Sequence, residues 1–149
     1  MKKKLTAYLM LLLLLCMTLL GGCGEVQGTA ESQTEVYTIE EDGWYYTPED
    51  VALYIHTYDD LPENYITKKE AQALGWDSKK GNLWEVADGM CIGGDHFGNY
   101  EGLLPEEDDY TECDVNYAGG YRGSERIIFS DDGDIYYTGD HYESFEQLY

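Results

Sequence analysis

The hydrophobic pattern changes character along the chain. Leu5 to Leu20 is almost wholly apolar, behind a basic start of Lys2, Lys3 and Lys4 and ahead of the small-residue stretch LGGC, 20–23. The apolar run is short for a membrane span, which takes about 20 residues. The combination reads as a secretory signal over residues 1–22. Residues 23–42 then lose apolar periodicity and read as a polar tether. From Gly43 a helical period takes over. In TPEDVALYIHTY (47–58), Thr47 can cap, Pro48 suits the first turn, and Glu49 and Asp50 complement the positive end of the helix dipole. Val51, Tyr54, Ile55 and Tyr58 share one face. A second helix opens at Thr67, with Glu70 placed for a capping box, and stops at Gly75; a short third covers Asn82 to Ala87. Beyond residue 89, MCIGGD, DVNYAG, RIIFS, DIYYT and SFEQLY alternate with Gly and Asp turns and read as strands. Helices first and strands after predict an α+β domain over 43–149, with N-terminal helices packed on a twisted antiparallel sheet.

Charge narrows the partners. The chain has 30 Asp and Glu against 9 Lys and Arg, and losing residues 1–22 with their three lysines takes the net charge from −21 to −24. Such a surface repels nucleic acid and anionic lipid at long range. Yet Arg122 and Arg126 stand four residues apart in YRGSER, 121–126. Of the cysteines, Cys16 lies in the signal. Cys23 ends a segment that resembles the bacterial lipoprotein box, which implies lipid on Cys23 and a membrane tether. Cys91 and Cys113 remain, and in an oxidising compartment they are expected to form a disulfide. Nothing has zinc-ligand spacing, and the histidines are scattered.

Five separated motifs carry a more specific signal. LPENYITKKEAQALGW (61–76), KGNL (80–83), IGGDHFGNYEG (92–102), DVNYAGGYRGSERI (114–127) and TGDHYESF (138–145) resemble the barnase-type guanyl-preferring ribonucleases of bacteria. The likeness runs from about residue 47 to 149, in the family's motif order, with one shortening around 106–111. The family fold is α+β, in agreement with the pattern. RNA supplies its own nucleophile, the 2′-hydroxyl, so cleavage needs a base, an acid and cations around the phosphoryl oxygens. No cofactor or metal is called for. The resemblance assigns the general base to Glu112 and the general acid to His141, a residue type that exchanges a proton near neutrality. It places Arg122, Arg126 and Lys68 on the phosphate, where arginine's fork of donors fits the oxygens. Asp95 and Asp114 match carboxylates that hold the lysine and the arginines. Tyr142 matches an active-site tyrosine. Guanine recognition falls on Phe97, Gly98, Asn99, Tyr100 and Glu101, with backbone and amide groups for the base edge and Glu101 accepting from the N1–H and amino donors.

The departures concern charge. Tyr100 stands where barnase has an arginine; it can stack on a base but brings no charge. EEDD (106–109) reads as a solvated loop and DDGD (131–134) as a turn. His56 and His96 match no catalytic position. The resemblance implies RNA as substrate, a monomer, and a barstar-like protein inhibitor as partner, although Tyr100 and the overall acidity weigh against the acidic inhibitor of the family. The leading reading is an extracytoplasmic, cyclising endoribonuclease. The alternative is a ribonuclease fold kept as a surface lipoprotein that binds without turnover. Retention of a base, an acid and three cations separates the two, because a binder needs no proton-transfer pair.

Overall fold

The computed structural model describes residues 37–106 and 108–149. The signal, Cys16, Cys23 and most of the tether lie outside the described residues. Residues 39–42, assigned above to the tether, pack on the domain: Ile39 is buried, and the Tyr58 and Tyr54 hydroxyls donate to the carbonyls of Ile39 and Glu41.

The helices form where the caps predict. Helix α1 (Pro48–Tyr58) starts with Thr47 Oγ1 accepting from the Asp50 amide and ends at Asp59, whose φ of 56° closes the last turn. Its buried face is Val51, Ala52, Tyr54 and Ile55. Helix α2 (Lys68–Ala73) has the full capping box between Thr67 and Glu70, and Gly75 turns the chain out at φ 104°. Helix α3 (Leu83–Val86) buries Leu83. Among the described residues no helix is long and apolar enough to cross a membrane.

Six strands follow one another across the sheet: β1 (Tyr65–Ile66), β2 (Cys91–Phe97), β3 (Tyr110–Asp114), β4 (Arg126–Ser130), β5 (Ile135–Thr138) and β6 (Glu146–Gln147). All neighbours pair antiparallel except β1 with β2, which is parallel. The sheet is therefore mixed at one edge, where the antiparallel sheet expected above gains a parallel strand; two residues leave no period to read. One expected strand is also misplaced. The ladder uses YTECD rather than DVNYAG. After Asp114 the chain bends away: the Asn116 amide bonds to the Tyr46 carbonyl, and Asn116, Gly119 and Gly120 all have positive φ.

The two faces of β3 and β4 do different work. One packs under the helices, with Val51, Ile55, Leu83, Ile92, Cys113, Ile127 and Ile135 in a single core. The other holds a smaller cluster of Leu104, Tyr110, Ile128 and Tyr136, against which Phe97, Tyr142 and Phe145 pack. The register pairs Glu112 with Ile128, Asp114 with Arg126 and Arg126 with Thr138. By the alternation of a strand, all of these side chains belong to the second face.

The Cys91–Cys113 disulfide is not formed; both are buried free thiols. Register explains this. Cys113 lies opposite Gly93, whereas Cys91 is level with Tyr65 on the far side of its own strand. Burial, aided by the Asp114 charge, pushes the Cys91 thiol up to about 12 and Cys113 well above its ordinary value. Gly93 itself has no room for a side chain, since a Cβ would lie 2.6 Å from both Cys113 Cβ and Tyr65 Cδ1. Gly93→Ala is expected to lower unfolding free energy by about 1–3 kcal/mol through overpacking, read as a reduced midpoint in urea denaturation.

Candidate active site

Glu112 projects from the middle of β3 and is 7% exposed. Lys68 Nζ donates to its Oε1 at 2.6 Å, and the Tyr142 hydroxyl donates to its Oε2 at 2.6 Å. Burial pushes the Glu112 carboxyl up, but the hydrogen bonds from Lys68 and Tyr142 and the charges of Lys68 and Arg122 outweigh it, so the carboxyl ends below its ordinary value. A carboxylate offers about four lone-pair sites, so two donors leave room for a third. Tyr142 is pushed up to about 12, by burial and then by Glu112, and stays a donor.

Two residues along, Asp114 takes both arginines. Arg122 Nε and Nη2 donate to its two oxygens at 2.6 Å each, while Arg126 Nε lies 2.9 Å from Oδ1 and Arg126 Nη1 donates to the Glu125 carbonyl. The Arg126 contact is an ion pair without a well-directed hydrogen bond from Nε. Burial acts to lower the Arg122 pKa, and Asp114 overrides it and raises the value.

Asp95 holds Lys68 by its backbone. Its Oδ2 accepts from the backbone amide of Lys68 at 2.9 Å. It thereby anchors the start of α2, and the Lys68 ammonium is left to Glu112. The bulge between Gly93 and Asp95, with Gly94 at φ 89°, re-aims this part of β2.

His141 is exposed and sits between two hollows. One, of about 710 Å³, is lined by Phe97, Tyr100, Glu101, Glu112 and Tyr142 among others; the second, of about 260 Å³, by Trp76, Tyr121, Arg122 and Arg126. The structure thus brings the expected base, acid and base-recognition loop to one cleft, with the arginines beside it. His96, on β2, also lines the larger hollow, while His56 ends α1 stacked on Tyr149, away from it.

The loop expected to recognise guanine is ordered from within. Asn99, at φ 42°, uses its amide on its own loop: Nδ2 donates to the carbonyls of Leu104 and Pro105, and Oδ1 accepts from the Leu104 amide. Its side chain thus shapes the loop, which lines the cleft. Phe97 stacks on Tyr142 at 5.2 Å. Tyr100 is 92% exposed, with its ring over Gly98, where a Cβ would meet it at 2.4 Å. Leu103 and Glu143 also line the cleft; neither was assigned a role, although Glu143 lies within TGDHYESF. Asp140 was missed too. It accepts from Thr138 Oγ1, the amides of Glu143 and Ser144, and Ser144 Oγ, and the Ser144 bonds lead in holding its carboxyl down at about 2. An Asp just ahead of a polar turn was the available signal.

Comparison with known proteins adds an independent line. Residues 48–149 match the family described as ribonuclease. A ribonuclease of Heyndrickxia coagulans is 51% identical over 100 residues, covering 66% of this chain and 92% of the relative. A ribonuclease of Bacillus intermedius is also 51% identical over 100 residues, and there the match spans 62% of the relative's length. Guanyl-specific ribonuclease St of Saccharopolyspora erythraea is 46% identical over 52 residues, 33% of this chain and 52% of that protein. The chain belongs to the ribonuclease family.

Proposed function

We propose that this chain is an endoribonuclease that cleaves single-stranded RNA after guanosine by transesterification. The observation that carries the reading is the meeting of Glu112 and His141 in one cleft, beside a Lys68–Arg122–Arg126 cluster. Glu112 takes the proton of the 2′-hydroxyl as the 2′-oxygen bonds to phosphorus. The bond from phosphorus to the 5′-oxygen breaks, and His141 protonates that oxygen. The product is a 2′,3′-cyclic phosphate. In its hydrolysis the roles reverse: His141 takes a proton from water and Glu112 returns one to the 2′-oxygen. Lys68, Arg122 and Arg126 offset the charge on the phosphoryl oxygens. Glu101 accepts from guanine's N1–H and amino group, and the loop amides face the base edge. The basic start, apolar run and LGGC at Cys23 favour an extracytoplasmic, lipid-tethered enzyme.

Expressed as residues 37–149 and given GpU with EDTA present, the protein is expected to release guanosine 2′,3′-cyclic phosphate. Glu112→Ala and His141→Gln should each lower kcat by about 10²–10⁴-fold. A folded wild type inert on all dinucleotides would instead favour the binding-module reading.

The base works only when ionised, so Glu112 sets the acid limb of kcat/KM. Its pKa is held down by Lys68, and Lys68→Ala raises it. The acid limb should therefore move to higher pH, measured by pH-rate profiles of the two proteins. An unmoved limb would assign that titration to another group.

Glu101→Gln exchanges a charged acceptor for a neutral amide that also carries donors. The preference for GpU over ApU should fall by about 10–100-fold, the range set by hydrogen bonds to a charged group, read from the ratio of kcat/KM values. Unchanged discrimination would move guanine selection onto the loop backbone.

A further inference from the structure

Asp140 takes no part in the proton transfers above, yet its carboxylate is unusually well occupied. Oδ1 accepts from Thr138 Oγ1 at 2.9 Å and from the amides of Glu143 and Ser144 at 3.0 Å each, and Oδ2 accepts from Ser144 Oγ at 2.5 Å. The residues it brackets, His141 and Tyr142, both have positive φ, 60° and 75°. Side chains other than glycine rarely adopt that backbone region, and they persist there only where the surroundings over-determine it.

The turn is also tied to the arginine side of the site. Thr138 is buried and lies across the ladder from Arg126. Its hydroxyl donates to Asp140 and accepts from the Tyr142 amide at 3.0 Å. Ser124, within the arginine motif, donates from Oγ to the Gly139 carbonyl at 2.8 Å. Strand β5, the arginine loop and the histidine turn are thus joined by side-chain hydrogen bonds at both edges of the turn.

We propose that Asp140, working through Thr138 and Ser144, is a positioning residue for His141: it fixes the left-handed turn that keeps the imidazole between the base cleft and the arginine groove. The proposal rests on the reading of His141 as general acid. It differs from simple turn closure in a way that can be read. An acid that is out of place is costly when the departing oxygen is a poor leaving group. It matters little when that oxygen leaves unaided. A site that is merely loosened loses both reactions together.

The test compares GpU with guanosine 3′-(4-nitrophenyl phosphate), whose phenolate needs little protonation, for wild type, His141→Gln, Asp140→Ala, Asp140→Asn and Ser144→Ala. His141→Gln should lose about 100-fold or more on GpU and far less on the nitrophenyl ester. Asp140→Ala should lose about 10–100-fold in kcat on GpU, with KM and the ester rate within about twofold of wild type. Asp140→Asn, which keeps an acceptor at Oδ1, should recover most of the loss, and Ser144→Ala should move in the direction of Asp140→Ala by a few-fold. If His141→Gln keeps its GpU activity, the reading of His141 as acid fails. If His141→Gln is impaired as stated but Asp140→Ala keeps wild-type kcat on GpU, or loses both substrates equally, the positioning role alone is overturned. Should Asp140→Ala not fold, Asp140→Asn and Ser144→Ala decide by the same ratio of GpU to ester rates, and equal ratios in both overturn the role.

Discussion

Asp114 is 1% exposed, and its carboxylate faces two guanidiniums that would otherwise repel each other at the end of β3 and β4. Breaking a buried charge group of this kind by removing one partner costs about 3–5 kcal/mol. The residue is bound on its backbone side as well, since the Tyr65 hydroxyl donates to its carbonyl at 2.8 Å. Asp114 therefore joins β1, β3, β4 and the arginine loop. Both arginines are fixed before any phosphate arrives, and a site oriented in advance has little reorganisation left to do as charge develops. The rest of the machinery is arranged around that fixed point. Glu112 is two residues back on the same face, Thr138 is across the ladder from Arg126, and Ser124 lies within the arginine loop.

The same pairing explains how a chain of net charge −21 can hold an anion. Lys68, Arg122 and Arg126 bridge two carboxylates, Glu112 and Asp114, so the immediate cluster keeps one positive charge in excess. Exposed acids lie close by, at Glu101 and Glu143 on the rim of the cleft. Attraction is thus confined to that cluster, and beyond about 10 Å at 0.1 M salt the surrounding charge is screened. Tyr100 fits this arrangement: a neutral ring at the mouth of the cleft gives contact area without a charge. On such a surface, selectivity rests on close contacts more than on long-range steering.

Local rules made much of the fold readable. Thr47, Pro48, Thr67 and Glu70 each carry a chemical reason for a helix to begin, and each acts as expected. RIIFS and DIYYT read as strands because both faces of the sheet are covered and the runs are short and β-branched or aromatic. What was not readable depends on contacts distant in sequence. β1 is too short to show a period and exists only through its pairing with β2. DVNYAG has strand composition, but positive φ at Asn116, Gly119 and Gly120 turns it into a loop. The cysteines were matched to neighbouring strands, yet a register that sets Gly93 against Cys113 keeps the sulfurs out of a bond. Within the site, the motifs that resemble the family pointed to Glu112, His141 and the three cations. They did not show that Asp95 binds the Lys68 amide, or that Asn99 spends its side chain on its own loop.

The two halves of the proposed proton-transfer pair are held by different physics. Glu112 sits in a strand with neighbours on both sides, where backbone pairing and burial fix its position at no cost in strain. His141 sits on an exposed turn outside the sheet. Among the described residues, five other than glycine have positive φ: Asp59, Asn99, Asn116, His141 and Tyr142. Three of these line the cleft. Strain therefore gathers where the chain must present side chains to a ligand without a strand beneath them, and in each case side-chain hydrogen bonds stand in for the missing ladder. At Asn99 the residue's own amide performs this role; at His141 and Tyr142 it falls to Thr138 and Asp140. The proposed acid stands on a turn, and that turn is held by polar residues whose only evident work is to hold it.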